Sequence, residues 1–158
     1  MPEAVIVDSV RTPVGRAFKG SLAQLRPDET GAYVIDQLLE RNPDVAPDSV
    51  EEVIAGCGLP QGKQAFNIGR IMVLLSEKLS ETTNGSTVSR YCASGLDAIR
   101  IAANNVVAGQ GDTYIAVALE ELVDDVRTGL VRAELRERAL EGAPHGRADA
   151  VDDHCFRH

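Results

Sequence analysis

The 158-residue chain has no tryptophan, only three phenylalanines and three tyrosines, and no basic stretch studded with aromatics. Nucleic-acid surfaces need clustered Lys and Arg, and a formal net charge of −8 opposes one here. The three cysteines, Cys57, Cys92 and Cys155, are an odd number at no metal-ligand spacing. That fits free thiols in a reducing compartment better than a disulfide scaffold, and implies no zinc or other metal site. No apolar run approaches the roughly 18 residues of a membrane span. The N-terminus lacks a charged segment followed by an apolar one, so no signal peptide is expected. These absences together place an acidic protein in the cytoplasm, with no membrane and no nucleic-acid partner.

What is present reads as alternating strands and helices. A chain this long suits one domain burying about 70% of its unfolded surface. Ala4-Val5-Ile6-Val7 is a short β-branched run suited to a central buried strand. A loop over Asp8 to Arg16 follows, broken by Pro13 and Gly15, with Arg11 and Arg16 exposed on it. Asp28 is placed to cap a helix whose apolar face is Val34, Ile35, Leu38 and Leu39, ending at Arg41-Asn42-Pro43. Pro47 to Glu52 suits a single helical turn before a second strand, Val53 to Gly58, which makes Cys57 an inert sheet residue. Asn67 is placed to cap a helix carrying Ile68, Ile71, Met72, Leu74, Leu75 and Leu79. Ser86 to Ser89 is a third strand, and Thr113 to Leu119 a fourth, after the glycine-rich stop Gly109-Gln110-Gly111-Asp112. The alternation calls for a mostly parallel sheet with helices on both faces.

Chemistry concentrates between the third strand and the next helix. There Thr87-Val88-Ser89-Arg90-Tyr91-Cys92-Ala93-Ser94-Gly95 reads as a strand end, a tight turn carrying a cysteine, and the start of an apolar helix through Ile101, Val106 and Val107. Orphan backbone N–H groups and the positive end of the helix dipole then face the Cys92 sulfur and favour the thiolate, the form that attacks. Ala93, Ser94 and Gly95 are small enough to admit a substrate carbonyl.

Two separated motifs carry a family resemblance. Val88-Ser89-Arg90-Tyr91-Cys92-Ala93-Ser94-Gly95-Leu96-Asp97-Ala98-Ile99 resembles the acyl-enzyme signature of the thiolases, with Ser89 where the family mostly has Asn and Asp97 where it mostly has Gln. Val7-Asp8-Ser9-Val10-Arg11-Thr12-Pro13-Val14-Gly15-Arg16 resembles the thiolase opening V-D-A-x-R-T-P-x-G-[KR]. The stretch from Gly62 to Arg70 is similar to a third family pattern, in which Asn67 and Arg70 are read as packing residues. The resemblance implies a thiolase-like layered α/β/α half-domain over residues 1–119, homo-oligomeric or paired with a complementary thiolase chain. It also implies that Cys92 takes the acyl group of an acyl-CoA, with coenzyme A as a substrate and no cofactor.

From Glu120 the resemblance is lost. Arg127, Arg132, Arg136, Arg138 and Arg147 punctuate a segment in which Val126, Leu130, Val131 and Leu135 have rough helical spacing, so residues 120–158 are expected to be a divergent Arg/Ala-rich tail, helical and then disordered, at a shortened or frame-disrupted end. The Gly-His-Pro and Cys-x-Gly motifs that supply the family's acid/base groups are absent. Pro144-His145-Gly146 has the wrong order, and Cys155-Phe156-Arg157 lacks the glycine. His145, His154 and His158 are read as tail residues, which makes the isolated chain weak or inactive. Three functions stay open: an acyl-CoA acyltransferase represented by its N-terminal portion, a non-catalytic half-domain that pairs with a complementary chain, and a redox-responsive thiol protein.

Overall fold

The computed structural model describes residues 3–14, 22, 24–120, 125–134 and 149–150. Its strands are β1 (Glu3–Arg11), β2 (Glu52–Cys57), β3 (Asn84–Val88), β4 (Thr113–Glu120), β5 (Asp125–Glu134) and β6 (Asp149–Ala150). Its helices are α1 (Pro27–Arg41), α2 (Ile68–Leu75) and α3 (Ser94–Val107). The strands form one sheet in the order β3-β2-β4-β5-β1-β6. β2 runs parallel to β3 and β4, β1 runs parallel to β6, and β5 is antiparallel to both of its neighbours. Five of the six strands therefore share a direction, the mostly parallel sheet expected of an α/β fold.

Chain direction explains the layers. A crossover between parallel strands is right-handed, so connections that move opposite ways across a sheet place their helices on opposite faces. The step from β2 out to β3 carries α2, and the step from β3 back over β2 to β4 carries α3. Val53, Ala55 and Cys57 of β2 with Ile115, Val117 and Leu119 of β4 accordingly pack against Val34, Ile35 and Leu38 of α1 and Met72 and Val73 of α2. The alternate residues Ile54, Tyr114 and Ala116 meet Ala98, Ala102 and Val106 of α3. The period-2 alternation of β2 and β4 thus feeds two cores and makes the α/β/α sandwich.

Several expectations need correction. The helix expected around Val126 to Leu135 is the strand β5 over Asp125–Glu134, seated between β4 and β1. Thr128 lies opposite Val117 on one side and Val10 on the other, and two ladders of backbone hydrogen bonds outweigh a loose helical spacing that includes Gly129. The disorder expected further on falls on residues 135–148 and 151–158, outside the described residues. β1 is one strand from the edge and runs on to Arg11, its pairing with β5 resuming at Asp8 after a register shift that follows Ile6. Gly15 and Arg16 of the expected loop lie outside the described residues.

Asp28 is not the cap of α1: Arg26 occupies that position, Pro27 opens the helix, and the Asp28 carboxylate takes the Arg26 guanidinium at 2.6 Å. α2 stops at Leu75, where the Ser76 hydroxyl and the Glu77 amide turn to Asp36, so buried Leu79 is delivered by a loop. Among the described residues no helix is long and apolar enough to cross a membrane.

Tyr114 gives a pH prediction. Burial, then the nearby Glu51 and Glu52, raise its phenol above the usual 10.0. The neutral phenol therefore contributes stability that is complete below pH 10 or so and is lost as pH rises toward the raised native value. Urea midpoints measured across the alkaline range are expected to fall more steeply for the wild type than for Tyr114→Phe.

Candidate active site

The cysteine turn is held from three directions. From the first, Asn67 ties β3 to the start of α2: its Nδ2 donates to the Gly85 carbonyl at 2.7 Å, and its Oδ1 accepts from the Thr87 hydroxyl at 2.8 Å and from the Arg70 amide at 3.3 Å. Asn67 is the expected cap of α2. Arg70 donates to the Thr83 and Glu81 carbonyls, fixing the approach to β3. Asn67→Ala is expected to cost about 1 kcal/mol of unfolding free energy, the usual worth of a helix cap, in urea titration.

From the second, Ser89 donates its hydroxyl to the Gly58 carbonyl at 3.0 Å, joining the ends of β3 and β2. Serine at this position thus anchors the loop leaving β2. From the third, α3 presses on the sheet. A β-carbon built on Gly56 would sit 2.4 Å from the Ser94 carbonyl carbon and oxygen, and one on Gly95 would sit 2.5 Å from the Ala118 Cβ. Only glycine at these two positions lets the first turn of α3 sit so close to β2 and β4.

The turn itself is closed from within. Ala93 N donates to Arg90 O at 3.1 Å, and Ser94 N to Tyr91 O at 3.0 Å. Tyr91 has φ +49, a left-handed conformation that a bulky L-residue rarely adopts. Cys92 lies just before Ala93, the N-cap of α3, and is exposed. It therefore sits beyond the carboxyl ends of β2 and β3, where ligands of open α/β sheets bind. Asp97, in the first turn of α3, holds Arg100 at 2.7 Å and Arg90 at 3.4 Å. With both arginines largely exposed, these pairs orient the guanidiniums beside the turn and add little stability.

Cys57 lies elsewhere, at the end of β2, 0% exposed, with its thiol donating to the Gln64 side-chain Oε1 at 3.0 Å. It is the sheet residue expected of it. His145, His154, Cys155 and His158 lie outside the described residues. Ser94, Gly56 and Thr87 escaped the sequence reading as structural supports of the turn. A serine two places past a cysteine at a helix start was the available signal for the first; for Gly56 there was none without the sheet.

The family profile "Thiolase, N-terminal domain" matches residues 4–153, on both sides of the cysteine turn. This chain belongs to the thiolase family. The match runs past residue 119, where the motif resemblance ends, and takes in β5, which completes the sheet. Among similar thiolases, the 3-ketoacyl-CoA thiolase of Bacillus subtilis is 42% identical over 77% of this chain and 31% of its own length. The 3-oxoadipyl-CoA/3-oxo-5,6-dehydrosuberyl-CoA thiolase of Escherichia coli is 39% identical over 77% of this chain and 30% of its own length. A 3-ketoacyl-CoA thiolase of Colwellia psychrerythraea is 38% identical over 77% and 31%. The chain spans about a third of the length of the curated relatives it matches.

Proposed function

We propose that this thiolase chain carries the nucleophile of an acyl-CoA C-acyltransferase and that Cys92 forms the covalent acyl-thioester. The observation that supports this most is an exposed thiol at the amino end of α3, in the turn that bears the thiolase motif. A base takes the Cys92 proton, the thiolate attacks the thioester carbonyl, a tetrahedral oxyanion forms and collapses with cleavage of the bond to the coenzyme A sulfur, and that sulfur leaves with the proton the base returns. A second thiol or carbon nucleophile then takes the acyl group. Dividing one transfer into two steps replaces a single high barrier with two lower ones. Acyl-CoA and coenzyme A are the substrates, and no further cofactor is needed.

The described residues lack part of this machinery. The described residues contain no histidine, the commonest general base. An acid/base pair and oxyanion donors, each donor worth ~10²–10³ in rate, come from a further thiolase segment or another thiolase chain. Intact mass after incubation with acetyl-CoA tests the reading: a single acetyl group on the Cys92 peptide supports it, and an unmodified Cys92 in the presence of a complementary thiolase chain overturns it.

One observation favours a second reading, a non-catalytic half-domain completed by another chain. β3 is an edge strand, and Phe66, Tyr91 and Leu96 are 92%, 72% and 72% exposed around its carboxyl end. Iodoacetamide labelling of Cys92 that a co-expressed thiolase chain suppresses and acetyl-CoA leaves unchanged would establish that reading.

A further inference from the structure

Ser94 is 2% exposed and sits at the first position of α3, yet its hydroxyl caps nothing within the helix. It reaches backward instead. Its Oγ accepts from the Arg90 amide at 2.8 Å and donates to the Tyr91 carbonyl at 2.5 Å, spanning the residue held at φ +49. A left-handed conformation at a bulky residue costs on the order of 1–3 kcal/mol and persists only where its surroundings impose it. Two hydrogen bonds from one buried hydroxyl, each contributing about 0.5–1.5 kcal/mol, are of the size needed to impose it. Tyr91 itself supplies no local reason for that conformation, because its ring is mostly solvent-exposed.

From these contacts we infer that Ser94 is the positioning residue of Cys92. By holding Arg90 N and Tyr91 O it keeps Tyr91 left-handed, and the backbone direction set at Tyr91 determines where the Cys92 sulfur projects relative to the first amides of α3. The inference rests on the acyl-transfer reading for its consequence, not for its geometry. Ser94 touches no substrate and acts through the turn.

The test compares wild type, Ser94→Ala, and Ser94→Ala combined with Tyr91→Asn, since asparagine enters the left-handed region far more readily than tyrosine. For each protein the rates of Cys92 alkylation by iodoacetamide and of acetylation by acetyl-CoA, with a complementary thiolase chain present, are read by peptide mass, and circular dichroism melting checks the fold. Ser94→Ala is expected to melt cooperatively, to alkylate Cys92 at the rate of the same residues in an unstructured peptide, and to acetylate at least about tenfold more slowly, since small misplacements of reacting groups carry penalties of that order. Adding Tyr91→Asn is expected to recover most of both rates, which a hydroxyl serving only stability would not allow.

Wild-type rates in Ser94→Ala, or no recovery in a double variant that melts like wild type, overturn the inference. Should Ser94→Ala fail to fold, the double variant decides: wild-type-like melting with Cys92 alkylation near the wild-type rate supports the role, and a folded double variant that alkylates at the rate of the unstructured peptide refutes it. A wild type that takes no acetyl group defeats the acyl-transfer reading alone, and the alkylation rates still judge Ser94.

Discussion

Cys92→Ala is expected to abolish the acetyl adduct formed with acetyl-CoA while leaving the melting transition within the ±0.5 kcal/mol or so typical of surface substitutions. The thiol is exposed and contributes nothing to either core, so its loss removes chemistry without removing packing. Cys57 cannot substitute for it: that sulfur is fully buried at the end of β2 and bonded to Gln64. Intact mass and peptide mapping read the result. An adduct that persists on another residue in Cys92→Ala would show that the acyl group does not enter through this turn.

Gly56→Ala carries the next largest expected effect, and here stability and reactivity fall together. The added methyl meets backbone atoms of Ser94 and Gly95, which no rotamer change can relieve, so the start of α3 must lift from β2. Overpacking of this kind costs about 1–3 kcal/mol, and the upper end applies where the obstructing atoms are main chain. The urea midpoint is expected to drop accordingly. Because Ser94 is among the residues displaced, the hydrogen bonds it makes to Arg90 and Tyr91 stretch as well, and Cys92 acetylation is expected to slow by about tenfold or more. An alanine at position 56 that leaves both the midpoint and the acetylation rate unchanged would mean that α3 does not depend on that close approach.

These two substitutions differ in how visible their targets are before folding. Cys92 stands out in the chain because a strand, a small-residue turn and an apolar helix follow one another within a few positions, and local periodicity reports all three. Asn67 as the cap of α2 is legible for the same reason: its partner, Arg70 N, is three residues away. Gly56 carries no such signal. Its importance comes from Ser94, 38 positions later, and only the crossover that lays α3 over β2 brings the two together.

The errors follow the same division. The stretch over 125–134 has apolar residues spaced so that either a helix or a strand can use them, and the choice was made by β1 and β4, which offer ladders on both sides. α2 was expected to reach Leu79, but Asp36 on α1 takes the Ser76 hydroxyl and Glu77 amide and ends it early. Asp28 was expected to cap α1 and instead binds the arginine two places before it.

The order of amino acids alone determined that this is a layered α/β chain, which face of α1 is apolar, and that the reactive candidate is the cysteine at the start of α3, because each of these depends on neighbours within a turn or two of chain. Only the tertiary structure decided that β5 enters the sheet, that α3 seats against β2 at Gly56 and against β4 through its own Gly95, and that the buried Ser94 hydroxyl bonds across the cysteine turn. Those depend on backbone atoms from strands and helices far apart in sequence, whose contacts exist only once the sheet has formed.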